Sequence, residues 1–246
     1  MTVGSTAPDW FKRLARPLRA RAGEHPALLP LLLPASTPAL ERPRITDATA
    51  LVIEGFPRSG NSFASAAFGL ATQWSVPRAS NTHLAGQVLV AVRRGIPTLV
   101  VMRRAADAVA SLCVAADYLR PAAGLREWLR FYRVIAPVAG GVVLATFDEV
   151  TGDFGAVVER LNRRFRTAFP PFVHDETSAA AVFASLDDYD RRKHGDVSED
   201  TIARPSDERR ARNAAVRAAM DDDATCRRLR ADADALYDRL VAGRTA

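Results

Sequence analysis

The sequence predicts an α/β fold: a three-layer parallel sheet flanked by helices, of the P-loop nucleotide-binding type. Short apolar runs at residues 51–53, 97–102 and 142–147 alternate with helix-patterned stretches. That alternation calls for parallel strands joined by right-handed crossovers. A glycine-framed loop, Gly55-Phe-Pro-Arg-Ser-Gly60-Asn61-Ser62, joins the first run to the first helical stretch. The chain has 246 residues, 48% hydrophobic and 25% charged, which suits an α/β domain needing neither metal nor disulfide to hold its core.

Residues 1–48 read as a Pro/Arg-rich N-terminal arm and residues 49–246 as the α/β domain. The arm begins with a short basic helix carrying Trp10, Leu14 and Leu18, followed by a Pro-rich strap. Lys12, Arg13, Arg16, Arg19 and Arg21 precede an apolar stretch at 27–35, which imitates a signal peptide. That stretch starts late, however, and Pro30 and Pro34 interrupt it. After the strand at 51–53 and the loop, an Ala-rich helix spans 62–72. A helix at 84–94 closes on Gly95, and the strand at 97–102 is entered by a proline. Helices follow at 107–118, which Pro121 ends, and at 125–135. The strand at 142–147 leads to a helix at 154–165. Beyond about residue 175 the tail is charged, contains Pro205, and closes with helices at 207–220 and 223–242.

The net charge of +6 and pI near 10.0 point to anionic partners. Only two of the 34 basic residues, Lys12 and Lys193, are lysines. The charges are spread along the chain with no basic block interleaved with aromatics, so no nucleic-acid partner is expected. Cys113 and Cys226 lie far apart without Cys or His neighbours at metal spacing, which suits a reducing, cytoplasmic setting and implies no metal. No run of about 20 apolar residues is present, so no transmembrane segment is expected. Membrane-surface contact by the N-terminal arm is left open.

The loop has its glycines five apart and a hydroxyl residue two after the second. Glycines let the backbone wrap closely around phosphate oxygens, and the amides of residues 59–63 would face the anion at a helix N-terminus. A nucleoside-triphosphatase requires Lys where this chain has Asn61. The loop's one cation is Arg58.

At Phe56-Pro57-Arg58-Ser59-Gly60-Asn61-Ser62-Phe63 the chain resembles the sulfotransferases that use 3′-phosphoadenosine 5′-phosphosulfate, whose loop is similar to Tyr-Pro-Lys-Ser-Gly-Thr-Thr-Trp. Strand 97–102 runs into Arg103, with Ser111 eight residues on, which looks like the family's second signature. Thr82-His83-Leu84 looks like its Thr-His-Leu-Pro segment. The resemblance covers residues 50–165 and implies a donor site made of Pro57, Arg58, Ser59, Gly60, Asn61, Ser62, Phe63, Arg103 and Ser111. The last two would hold the 3′-phosphate. It also implies catalytic roles for Arg58, on the leaving phosphate, and for His83, as base. The chain departs from the family pattern at Asn81, Ala85, Ala105 and Phe147. The family's C-terminal Arg-Lys-Gly phosphate motif has two counterparts to choose from, residues 191–195 and 204–210.

The function so implied is transfer of a sulfuryl group from 3′-phosphoadenosine 5′-phosphosulfate to the hydroxyl of a small-molecule, lipid or carbohydrate acceptor. The alternatives are an ATP-dependent P-loop kinase or nucleotidase, and a non-catalytic nucleotide-binding relative. A lone His, or an Arg at a strand end, also occurs as an ordinary surface or buried residue.

Overall fold

The structure, a computed structural model, describes residues 7–33, 41–42, 44–194 and 206–244. Four strands form the body of an all-parallel sheet: β2 (Leu51–Gly55), β3 (Arg78–Ser80), β4 (Thr98–Met102) and β5 (Val143–Thr146). Their spatial order is β3-β2-β4-β5, with a two-residue strand β1 (Glu41–Arg42) outside β3. Every residue of β2, β3 and β4 is buried, as expected of strands covered on both faces.

Side-chain alternation divides the core in two. Leu51, Ile53, Leu99, Val101, Val143 and Ala145 pack against helix α3 (Asn61–Ala71), helix α8 (Phe154–Phe165) and helix α9 (Glu176–His194). Val100, Met102 and Leu144 point the other way, toward α4 (Ala85–Arg93), α5 (Ala105–Ala115) and α6 (Pro121–Ile135). Outside that second layer lie α10 (Asp207–Asp222) and α11 (Ala224–Ala242), which contribute Met220, Leu236 and Leu240 to the same cluster. At the other end of the chain, α1 (Asp9–Ala22) is held on α6 by Arg16–Glu127 at 2.8 Å and on the start of α4 by Gly86 N–H donating to Gly23 O.

Parallel register lines up the strand ends that matter. Ile53 sits opposite Ser80, Gly55 opposite Val101, and Met102 opposite Thr146. The segments after β2, β3, β4 and β5 therefore emerge along one edge. The chain leaves β2 toward β3 on one side and later returns to β4 on the other, so the β2 and β4 loops diverge. Such a reversal opens a crevice at the carboxyl ends of the strands.

Several boundaries differ from expectation. Pro121 does not close the helix before it; it occupies the first turn of α6, where its missing N–H costs nothing. Pro30 likewise falls in the first turn of the short helix α2 (Leu29–Leu32), so the expected strap is partly helical there, after a 3₁₀ turn at Pro26–Leu28. The last strand ends at Thr146 because Thr146 and Glu149 form a reciprocal capping box that starts α7 (Phe147–Gly152). Phe147, Asp148 and Glu149, expected at a strand end, are thus helical. Strand β3 and helix α9 were not anticipated. Residues 1–6, 34–40, 43, 195–205 and 245–246, including Pro34, Gly195, Arg204 and Pro205, lie outside the described residues.

Candidate functional site

The loop after β2 is tied down from inside. Asn61 Nδ2 donates to Gly55 O and Phe56 O, both at 3.1 Å, which uses both amide hydrogens to strap the loop to the helix it precedes. Tyr132, buried on α6, accepts from Phe56 N–H at 3.3 Å and donates to Val101 O at 2.8 Å. Gly55 cannot carry a side chain: a Cβ there would lie 2.3 Å from Val101 O. Gly60 has φ of 102°, a left-handed conformation that suits glycine. Arg58 adopts φ of 66°, uncommon for a non-glycine residue.

This curl changes the expected cradle at two residues. The Ser59 amide is spent on Phe56 O, and its side chain is fully buried with Oγ 3.5 Å from the Tyr132 hydroxyl, so Ser59 faces the core. The Asn61 side chain is likewise structural. What remains for an anion is the start of α3, where Gly60, Asn61, Ser62 and Phe63 carry the N–H groups that a helix leaves without intrahelical partners.

Arginines converge next to that helix end. Arg58 Nε donates to Ser111 Oγ at 3.1 Å, and Arg209 Nη2 reaches the same oxygen at 3.3 Å. Arg103 Nη1 donates to Arg58 O at 3.2 Å while its guanidinium lies 4.1 Å over the Phe147 ring. Trp128 Nε1 holds Arg103 O at 3.1 Å, fixing the end of β4. Burial, with the charges of Arg209 and Arg103, pushes the Arg58 guanidinium down to about 10, and Asp190 on α9 opposes that effect. Burial also lowers Arg103. For Arg103, the carboxylates of Asp107 and Asp148 oppose the effect of burial.

His83 lies against the start of the loop. Its Nδ1 is 2.9 Å from Gly55 O and 3.4 Å from Asn61 Nδ2. Both Asn61 hydrogens are committed to carbonyls, so the consistent assignment protonates Nδ1 toward Gly55 O and leaves Nε2 with its lone pair. Burial pushes the imidazole down to about 4, so it is neutral around pH 7. Its backbone, at φ of 56°, is held by Glu54, fully buried at the end of β2. Glu54 accepts from Thr82 N–H at 3.0 Å, from the Thr82 hydroxyl at 2.6 Å and from His83 N–H at 3.0 Å. Burial raises its carboxyl to about 7 against the pull of these donors.

Two cavities meet at this loop. One, of about 630 Å³, is lined by Pro57, Arg58, Gly60, Asn61, Ser62, Phe63, Arg103 and Ser111 among the expected residues, joined by His83. Arg209, Arg210 and Phe183 also line it, and Phe63 packs edge-on to Phe183 with ring centroids 5.8 Å apart. The other, of about 980 Å³, runs beneath α1. Pro57 and His83 border both.

Nearly all the expected site residues are thus gathered around the smaller cavity; Ser59 is the exception. Arg209 falls within one of the two basic stretches considered, whereas Arg191 of the other pairs with Asp188 on an exposed face of α9. Glu54 was not anticipated, although an acidic residue closing an apolar strand run is a signal. Among the described residues, no group of three or more His, Cys, Asp or Glu could hold a metal ion, and no helix is long and apolar enough to cross a membrane. No family model, curated protein or solved structure matches this chain.

Proposed function

We propose that this chain is a sulfotransferase of the P-loop type, moving a sulfuryl group from 3′-phosphoadenosine 5′-phosphosulfate to an acceptor hydroxyl. The observation that carries the reading is that His83 and Pro57 border two cavities at once. One is an arginine-rich pocket at a helix N-terminus and the other a larger cleft. A group-transfer site needs that arrangement, with donor and acceptor meeting at one loop.

In this reading the donor's 5′-phosphate rests on the amides of Gly60–Phe63, and its 3′-phosphate meets Ser111, Arg209 and Arg103. Two guanidinium groups and a hydroxyl suit a dianionic group well. The acceptor oxygen attacks sulfur, its bond to sulfur forms as the sulfur–oxygen bond to the 5′-phosphate breaks, and the phosphate leaves with the electron pair. The acceptor proton passes to His83 Nε2. A pKa of about 4 makes the free imidazole a weak base, and a phosphate bound nearby raises it by attraction. Arg58 stabilises charge growing on the leaving phosphate, rotating from Ser111 once the donor is present. A sulfuryl group carries less charge than a terminal phosphoryl group, so amides and arginines suffice where phosphoryl transfer enlists magnesium. Asn61, tied to two carbonyls, does not take the part of a P-loop lysine.

The test is calorimetry with adenosine 3′,5′-bisphosphate against ATP with magnesium, followed by a labelled-sulfate acceptor screen. The sulfotransferase reading expects tight binding of the bisphosphate without metal. Preference for ATP would favour a kinase or nucleotidase, and binding of neither would reject the nucleotide site.

A further inference from the structure

The cleft beneath α1 has an unusual rim. Leu14 and Leu18 of α1 are each 56% exposed, Leu31 is 82% exposed, and all three line the mouth. Trp10, one turn before Leu14 on the same face, is 67% exposed without lining the cleft. Residues four apart share a helix face, so Trp10, Leu14 and Leu18 form an apolar stripe about two turns long. Of the fourteen residues in α1, five are basic and only Asp9 is acidic. Arg16 turns inward to Glu127, and Glu24 just after the helix pairs with Arg130 of α6 at 3.2 Å. These anchors fix which face of α1 looks outward. Arg21 is exposed beside the stripe, and so is Arg13, whose Nε donates to Tyr118 O at 2.8 Å.

An exposed apolar ridge flanked by arginines fits an anionic lipid surface, with Trp and Leu entering the headgroup boundary and cations meeting the lipid charge. A second copy of this chain fits less well, because its +6 charge would set arginine against arginine. The same leucines border both the outside and the cleft that His83 also lines. A molecule entering from the bilayer would therefore pass its apolar part over Leu31, Leu14 and Leu18.

We infer that α1 seats this protein on an anionic membrane surface, and that the acceptor is a membrane-resident amphiphile whose hydroxyl reaches His83 while its apolar tail lies among Leu14, Leu18 and Leu31. The second half rests on the sulfuryl-transfer reading; the docking half does not.

The experiment uses the full chain in flotation with phosphatidylcholine vesicles, with and without phosphatidylglycerol, and in calorimetry with octyl glucoside below its micelle concentration against glucose. Association is expected with phosphatidylglycerol vesicles only, weakening with salt. Replacing Arg13 and Arg21 together by Ala should weaken it at least about tenfold. Trp10→Glu should weaken it too while leaving adenosine 3′,5′-bisphosphate affinity unchanged, which shows that the variant is folded. Octyl glucoside should bind at least about tenfold more tightly than glucose, and Leu18→Glu should remove the difference. No vesicle association, or a dimer that Trp10→Glu dissociates, would overturn the docking surface. Equal binding of octyl glucoside and glucose, or binding of neither, would overturn the amphiphilic acceptor. Failure of the bisphosphate alone to bind would reject the sulfuryl-transfer reading and leave docking in place.

Discussion

Arg58 shares Ser111 with Arg209, and that pairing separates two roles that the sequence motif alone runs together. A guanidinium parked on a hydroxyl can move onto an incoming phosphate, whereas the Asn61 amide, committed to two carbonyls, cannot. Arg58→Ala should therefore lower kcat by about 10²–10³-fold, the usual loss when one donor to a developing anion is removed, with circular dichroism and melting unchanged. Unaltered turnover would take Arg58 out of the chemistry. Glu54 holds the backbone of His83 and, under the proposed function, would act through it. A glutamine there offers an N–H₂ to donors that need an acceptor, so Glu54→Gln should loosen the Thr82–His83 turn by about 1–3 kcal/mol. It should also lower kcat more than it raises the KM of the donor. A rise in donor KM with normal kcat would show that Glu54 serves the donor pocket instead.

At the scale of elements, α10 carries Arg209 into the pocket from its first turn, which Ser206 caps by accepting from Arg209 N–H. Ser206→Ala should cost about 1 kcal/mol of stability, read by urea unfolding. It should also weaken bisphosphate binding, because the frayed turn is the one that positions Arg209. Unchanged affinity would mean that α5 and β4 alone hold the anion. Helices and strands with strong apolar patterns were legible: α8 was expected at 154–165 and is found at Phe154–Phe165. The strand β3 was not legible, because Arg78, Ala79 and Ser80 form no apolar run. Arg78 is buried through a hydrogen bond to Ser65, 13 residues back, and by stacking on the Trp74 ring, contacts that leave no apolar-run signal. Helix α9 was hidden by its charge, since the apolar residues Val182, Phe183 and Leu186 that pack it on the α3 side are few among acidic and basic neighbours. That the expected loop and strand-end residues border one cavity follows from spacing that is local in the sequence. The direction of the Ser59 and Asn61 side chains was not, because it is decided by Tyr132 and by loop carbonyls.

For the molecule as a whole, buried Glu54 and half-buried His83, joined through one turn, set opposite pH slopes. The folded pKa of Glu54, about 7, lies above its ordinary 4.5, so its contribution to stability is full below about 4.5 and fades as pH rises through about 7. The folded pKa of His83, about 4, lies below its ordinary 6.5, so its contribution is full above about 6.5 and fades as pH falls toward about 4. Between these limits the two trends oppose, and the intact protein should show a shallow profile. Glu54→Gln should expose the His83 slope, losing about 3 kcal/mol on acidification, and His83→Gln should expose the reverse slope. Urea titrations from pH 4 to 8 check this, and parallel profiles for the two variants would contradict it. Anion binding beside α3 is read by titrating adenosine 3′,5′-bisphosphate into the intact protein and into Arg209→Ala without added metal. Saturable binding to the first is expected, with an affinity at least about tenfold lower for the second, as when a charge-assisted contact to phosphate is lost. Equal affinities, or no heat with either, would contradict it.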